Sequence, residues 1–317
     1  MAGKIATRAA YGNALVELAE KYPELVVLDA DLAKATQTKG FAAAYPDRFF
    51  DCGIAESNMV GIAAGLAAAG LKPFANSFAI FSAGRAYEQV RNSVCYPHLN
   101  VKIVGSHGGI SVGEDGATHQ CTEDLALMRQ IPGMLVLNPC DGNEMRFAVE
   151  ALLNYEGPAY LRLGRPAVEN FTDELEGYRF ELGKGVKVAE GEDVTIAATG
   201  MMVGMALKAR ELLAAEGISA RVLDIHTIKP LDEDLILNAA FETGAIVTSE
   251  EASVLGGLGG AVAELVSAKC PVPVIRHGVE DTFGRSGTAN AVLEYFGLTP
   301  EMLAAKCREA VALKNAN

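Results

Sequence analysis

Residues 24 to 31 read E-L-V-V-L-D-A-D, a short apolar run rich in β-branched residues that ends among acids. A run this short, continuous rather than alternating, predicts a strand buried on both faces. Similar runs recur as R-F-F-D-C-G (48–53), N-V-K-I-V-G (100–105), M-L-V-L-N-P (134–139) and A-Y-L-R-L (159–163). Alanine-rich stretches between them predict helices near 8–20, 56–70, 81–95 and 142–155. Strands alternating with helices of this length predict βαβ units and a parallel sheet. A second series opens at D-V-T-I-A-A-T-G (193–200) and continues through A-R-V-L-D-I-H (220–226), G-A-I-V-T-S-E (244–250) and P-V-I-R-H-G (273–278). Helices are predicted there near 201–216, 232–241, 257–268 and 299–313. The fold class is α/β with two domains, each a largely parallel sheet flanked by helices. The polar, glycine-containing stretch between the series sets the domains at 1–170 and 192–317, with a linker over 171–191, because linkers are polar and exposed.

The 317 residues suit two domains of ordinary size. Half of them are hydrophobic, 33 are glycine and none is tryptophan, a profile of closely packed α/β enzymes that excludes fibrous and disordered classes. A net charge of −13 with no basic cluster argues against nucleic acid and anionic lipid surfaces as partners. The six cysteines show no C-x-x-C pair and no metal-ligand spacing with histidine, so they read as reduced thiols and no metal site is expected on this chain. No run approaches the ~20 apolar residues of a membrane span, and the start lacks a long apolar h-region. A soluble, cytoplasmic protein with no membrane partner is the expectation.

The densest chemistry lies at 107–120, H-G-G-I-S-V-G-E-D-G-A-T-H-Q. Four glycines in fourteen positions suit a main chain that turns tightly or approaches a ligand closely. His107, Asp115 and His119 in such a loop point to a polar ligand site. Glu56, in G-I-A-E-S-N-M-V-G-I-A-A-G-L-A, opens an almost wholly apolar helix. It reads either as a first-turn acid favoured by the helix dipole or as a partly desolvated carboxyl with a raised pKa, suited to general acid/base work. Phe74, Phe78 and Phe81 in P-F-A-N-S-F-A-I-F-S are core residues or, for Phe81 at the strand-to-helix turn, a stacking partner for a flat ring. Arg165 in L-R-L-G-R-P and Arg8 in K-I-A-T-R are ordinary surface arginines or, if they converge, a clamp for phosphate or carboxylate. The cluster G-G-L-G-G at 256–260 fits tight packing or weak anion binding at a helix start. P-loop, G-x-G-x-x-G after the first strand and G-x-S-x-G are absent.

Taken in order, K-I-A-T-R-A-A-Y-G-N, D-A-D-L-A (29–33), G-I-A-E-S-N (53–58), S-F-A-I-F (77–81), the H-x5-G-E-D-G-x-T-H-Q loop and L-G-R (163–165) resemble transketolases, specifically their C-terminal half. The resemblance implies a thiamine diphosphate-binding pyrimidine domain followed by a transketolase C-terminal-like domain. The family's G-D-G motif, on the domain that holds the diphosphate and its divalent Mg or Ca ion, is absent. The resemblance therefore implies a split enzyme whose N-terminal-type subunit is a separate chain, with a homodimer core inside a heterotetramer, inactive when this chain stands alone. It assigns Glu56 to the aminopyrimidine nitrogen and Phe78 and Phe81 to the aromatic wall. Asp31 would lie near the cofactor; Asp115 and His119 would contact sugar hydroxyls, His119 as a catalytic group. Arg8, His107 and Arg165 would hold the sugar phosphate. The implied reaction moves a two-carbon ketol unit from a ketose phosphate to an aldose phosphate through a cofactor carbanion, as in the pentose phosphate pathway.

Two positions depart from the pattern and bear on sugar specificity: Ala35, where the family has a phosphate-contacting serine, and Gly84, where it has a tyrosine. Lys34 or Thr36 would be the compensating groups. A-Y-E-Q-V-R at 86–91 resembles deoxyxylulose-phosphate synthases instead. Such a synthase, a 2-oxo acid dehydrogenase β-type subunit and a non-catalytic assembly subunit are the alternative readings.

Overall fold

The computed structural model describes residues 3–316; Met1, Ala2 and Asn317 lie outside the described residues. The strands are β1 (Lys4–Ala6), β2 (Leu25–Asp29), β3 (Phe49–Asp51), β4 (Lys72–Phe78), β5 (Lys102–Ser106), β6 (Leu135–Leu137) and β7 (Ala159–Arg162). They continue as β8 (Ala167–Glu169), β9 (Val186–Ala189), β10 (Val194–Ala198), β11 (Ala220–Asp224), β12 (Thr227–Lys229), β13 (Ile246–Ser253) and β14 (Val274–Val279). The first sheet has the order β12-β6-β7-β5-β4-β2-β3 and the second β14-β13-β10-β11-β9. Pairing is parallel throughout both except at the edge strands β12 and β9.

The continuous apolar runs are strands, and those inside the sheets are covered on both faces, whereas β3, at an edge, is partly exposed. In β2, Leu25 and Val27 join one core with Phe74, Val104 and Leu137, while Val26 and Leu28 join another with Met59, Ile103 and Val136. Alternate residues thus enter opposite layers, and each large side chain contributes about 1.5–3 kcal/mol by leaving water. The helix expected over 81–95 is wound more loosely: π-type turns at Phe81–Arg85 and Val90–Cys95 flank a short α-helical segment at Tyr87–Gln89. Four short strands had no sequence counterpart. The first and last segments of the pyrimidine half, β1 and β8, pair as an antiparallel ribbon; β9 falls within 171–191; and β12, from the second series, closes the edge of the first sheet against β6.

The two sheets meet through buried polar bonds. Arg162, on β7, forms a two-pronged pair with Asp124 (Nε–Oδ2 2.8 Å, Nη2–Oδ1 3.1 Å), and its Nη2 also donates to the Glu251 carbonyl on β13 at 2.9 Å. Tyr160 donates to the same Asp124 oxygen at 2.7 Å. Removing one partner of such a pair strands a buried charge, so Arg162→Leu is expected to destabilise the chain by about 3–5 kcal/mol. Urea unfolding checks this; a loss no larger than that of a surface substitution would contradict it.

The glycine-rich helix start at 256–260 already holds an anion from its own chain. Glu250 Oε2 accepts from Leu258 N at 2.8 Å and Oε1 from Gly259 N at 2.7 Å, and burial pushes its carboxyl up to about 7. Of the two readings of this cluster, tight packing and weak anion binding, the structure favours the first: a Cβ on Gly257 would come 2.1 Å from Glu250 Oε2.

Candidate active site

In the first sheet the chain runs from β2 outward to β3 and then returns to β4 on the other side of β2. The direction of winding reverses there, and in open parallel sheets the crevice at the strands' carboxyl ends at such a point receives ligands. Nearly all the candidate residues emerge at these ends: Asp31 after β2, Glu56 after β3, Phe78 and Phe81 at β4, His107 after β5 and Arg165 after β7. Arg8 arrives from the first turn of the helix Thr7–Leu18, which Thr7 ties to the β7 end by accepting from Gly164 N at 2.8 Å.

Glu56 begins the helix Glu56–Ala68 and is 1% exposed. Its surroundings are less apolar than its helix implies: Ser77 donates to Oε1 at 3.3 Å and Arg85 to Oε2 at 2.9 Å. Arg85 is the main residue that sequence reasoning missed. The Phe78 and Phe81 rings lie parallel, 6.1 Å apart with a 6° tilt. His107 stacks on Phe78 at 4.1 Å, and His119 meets both phenylalanines edge-on at 6.2 and 5.5 Å. Phe74 lies in the core.

At the other end of this aromatic patch the charges are positive. Arg8 Nη1 donates to the Ala35 carbonyl at 2.6 Å and Nε to the Arg165 carbonyl at 3.4 Å. Burial, then the nearby Arg165 charge, lowers the Arg8 pKa. Burial first, and then Arg8 and Arg165, push His107 down to about 3. Its imidazole is therefore neutral at physiological pH and offers a hydrogen bond, while the two arginines supply charge; Nδ1 lies 2.8 Å from Ser106 Oγ. Arg165 also pairs with Glu114 at 2.7 Å, a carboxylate that an incoming anion would have to displace.

Asp115 sits exposed on the tip Gly113–Asp115, and Asp31 is exposed with a left-handed backbone (φ 61°), its N–H donating to Asp51 Oδ1. The buried acid of this region is Asp29, which accepts from Thr36 and Thr38 hydroxyls and from Leu32 N at 2.7–2.8 Å. Burial pushes it up to about 6. Thr36 is thus occupied inside the fold and does not replace the serine missing at Ala35. Several loop glycines serve the seam between sheets: a Cβ on Gly109 would come 2.4 Å from the Glu251 carboxyl, and one on Gly116 2.3 Å from Ser286 Oγ.

A buried carboxylate beside parallel aromatic rings fits the pyrimidine half of thiamine diphosphate. The diphosphate and its metal find no matching cluster here. Among the described residues one group, Cys140, Glu144 and Asp224, places three metal-type ligand atoms within 4.8 Å of one another. It is fully buried, and burial, then the Glu144 charge, raise the Asp224 pKa.

Residues 3–170 match the family model described as transketolase, pyrimidine binding domain, and 183–303 match transketolase, C-terminal domain. The chain belongs to the transketolase family, whose membership implies thiamine diphosphate as cofactor. More narrowly, it is a subunit of the two-subunit type of transketolase. It is 48% identical to a putative transketolase C-terminal section of Methanocaldococcus jannaschii over 95% of each chain. It is 48% identical to the 6-deoxy-6-sulfo-D-fructose transketolase subunit SqwH of a Clostridium species, covering 97% of this chain and 95% of that one. The solved structure described as "split gene transketolase, inactive beta4 tetramer" superposes with a TM-score of 0.91 at 52% identity, covering 98% and 99% of the two chains. Among the described residues no helix is long and apolar enough to cross a membrane.

Proposed function

We propose that this chain forms the pyrimidine side of a transketolase active site and moves a two-carbon ketol unit from a phosphorylated ketose to a phosphorylated aldose. The observation that carries the reading is a series of contacts that runs from the buried carboxylate Glu56 through Arg85, Phe81, Phe78 and His107 towards Arg8 and Arg165. When bound, thiamine diphosphate supplies an acidic thiazolium carbon able to break and re-form a carbon–carbon bond. Glu56 holds a proton at the pyrimidine nitrogen, and Phe78 and Phe81 fix the ring's plane. His119, edge-on to both rings, and Asp115 meet the sugar hydroxyls. Asp31 borders the cofactor. Neutral His107 donates a hydrogen bond to the terminal oxyanion while Arg8 and Arg165 balance its charge.

An N-terminal-type partner chain carries the diphosphate and a Mg or Ca ion. The assembly is a heterotetramer built on a homodimer of this chain, which places Glu56 where the partner's cofactor wall closes over it. The helix Glu56–Ala68 supports this arrangement: Ile54 is 75% exposed just before it, and Gly61, Ile62 and Gly65 line its outer face.

The relative named for a sulfonated fructose fits the same chemistry, because a guanidinium pair accepts a sulfonate as readily as a phosphate monoanion. Phosphorylated sugars are the preferred substrates here because two converging arginines suit a dianion. In the assembled enzyme, Arg165→Ala is expected to raise KM for a phosphorylated aldose about 10–100-fold, the cost of one charge-assisted hydrogen bond, with kcat little changed. Steady-state assays with the phosphorylated and unphosphorylated aldose check it. An equal effect on both would remove the arginine end from the substrate site.

A further inference from the structure

Arg85 makes two contacts at once. Its guanidinium carbon lies over the Phe81 ring, 4.4 Å from the centroid, and its Nη1 donates to Glu56 Oε2 at 2.9 Å. A planar pyrimidine that stacks on this face of Phe81 while reaching Glu56 requires the same two contacts. The guanidinium is itself planar, rich in N–H donors and suited to stacking on aromatic faces, so it imitates the ring in shape and in hydrogen bonding. Phe81 and Arg85 are the first and last residues of one π-type turn, a winding that recurs at functional sites because its backbone is less tightly held than an α-helix. The side chain is 49% exposed, against 1% for Glu56, and so has a solvent-filled direction in which to withdraw.

We infer that Arg85 is an internal competitor for the pyrimidine seat, which must swing away from Glu56 and Phe81 before the cofactor's ring can enter. The inference rests on the proposed assignment of Glu56 and Phe81 to the pyrimidine, and goes beyond it by giving the seat an occupant from the same chain. It makes two consequences point in opposite directions. The pair shields the buried Glu56 charge and stabilises the chain, yet it lowers the fraction of molecules ready to bind, and apparent affinity falls by that fraction. Removing the guanidinium therefore weakens the fold and strengthens binding. A residue that cooperated with the cofactor, or served structure alone, would not separate the two.

The test is calorimetric titration of thiamine diphosphate, in the presence of Mg2+, into the assembled complex of this chain with its partner subunit. Arg85→Ala and the milder Arg85→Gln are compared with the unsubstituted protein, and thermal melting of each is recorded without cofactor. The inference predicts binding about tenfold tighter for Arg85→Ala and intermediate for Arg85→Gln, together with a lower melting temperature for both. Unchanged or weaker binding by both variants, while the unsubstituted complex binds normally, overturns the competitor role and leaves the site assignment standing. Failure of the unsubstituted complex to bind thiamine diphosphate overturns the assignment itself and, with it, this inference. Arg85→Gln keeps the test decisive if Arg85→Ala does not fold.

Discussion

Glu56→Gln, assembled with the partner subunit, is expected to fold normally and to lose two-carbon transfer by about a thousandfold, within the 10²–10⁴ that a positioned acid/base group contributes. The substitution keeps the shape of the side chain: the glutamine oxygen still accepts from Arg85, and its amide N–H2 donates to the Ser77 hydroxyl, which can accept as well as donate. The ion pair lost involves a half-exposed arginine, so its contribution to stability is small, about 0–1 kcal/mol. What disappears is a carboxylate able to take and return a proton at a ring nitrogen, which an amide cannot do. Turnover and melting temperature measured on the same preparation separate the two effects. Near-normal turnover would remove Glu56 from the chemistry; a collapse in melting temperature would make the loss uninformative.

The second large effect concerns the chain by itself. Purified without a partner, it is expected to transfer no ketol unit at any concentration of cofactor and Mg2+. Its crevice offers a carboxylate, an aromatic wall and two arginines, but the sequence lacks the G-D-G motif, and the one metal-type cluster among the described residues is buried away from these groups. Without a fixed diphosphate the thiazolium carbon is not positioned, and positioning supplies on the order of 7–11 kcal/mol of an enzyme's advantage. Adding the N-terminal-type subunit should restore activity, saturating at one partner per chain. Robust turnover by the chain alone would refute the two-subunit reading.

The parallel architecture was legible because buried strands such as 25–29 and 102–106 need continuous apolar runs, and because their helices carry strong local signals. The antiparallel edge strands β9 and β12 have no such signal: β12 is defined by a partner, β6, that lies about ninety residues away in the chain. The site was legible where chemistry is local. Glu56 opens an apolar helix and His107 ends a buried strand, both recognisable from their neighbours. Its electrostatics were not, because they depend on convergence in space. The sequence L-R-L-G-R-P contains two arginines that look alike, yet Arg162 turns inward to Asp124 and Arg165 outward to Glu114. The apolar run around Arg162 held a clue, since a charge in a doubly buried strand demands a partner. Arg85 carried no comparable mark. The loop glycines suit a main chain that turns tightly or approaches a ligand closely; Gly109 and Gly116 have left-handed backbones (φ 84° and 71°), and they also make room for the second domain.

The account depends on Glu56 of this chain activating a cofactor anchored by another. The most direct test follows exchange of the thiazolium C2 proton of thiamine diphosphate with deuterium, by rapid quench and NMR, before any sugar is added. Fast exchange is expected in the two-subunit complex, slowed by about two to four orders of magnitude both with Glu56→Gln and when this chain is left out. Exchange that stays fast in the partner subunit alone, or in the Glu56→Gln complex, would contradict it.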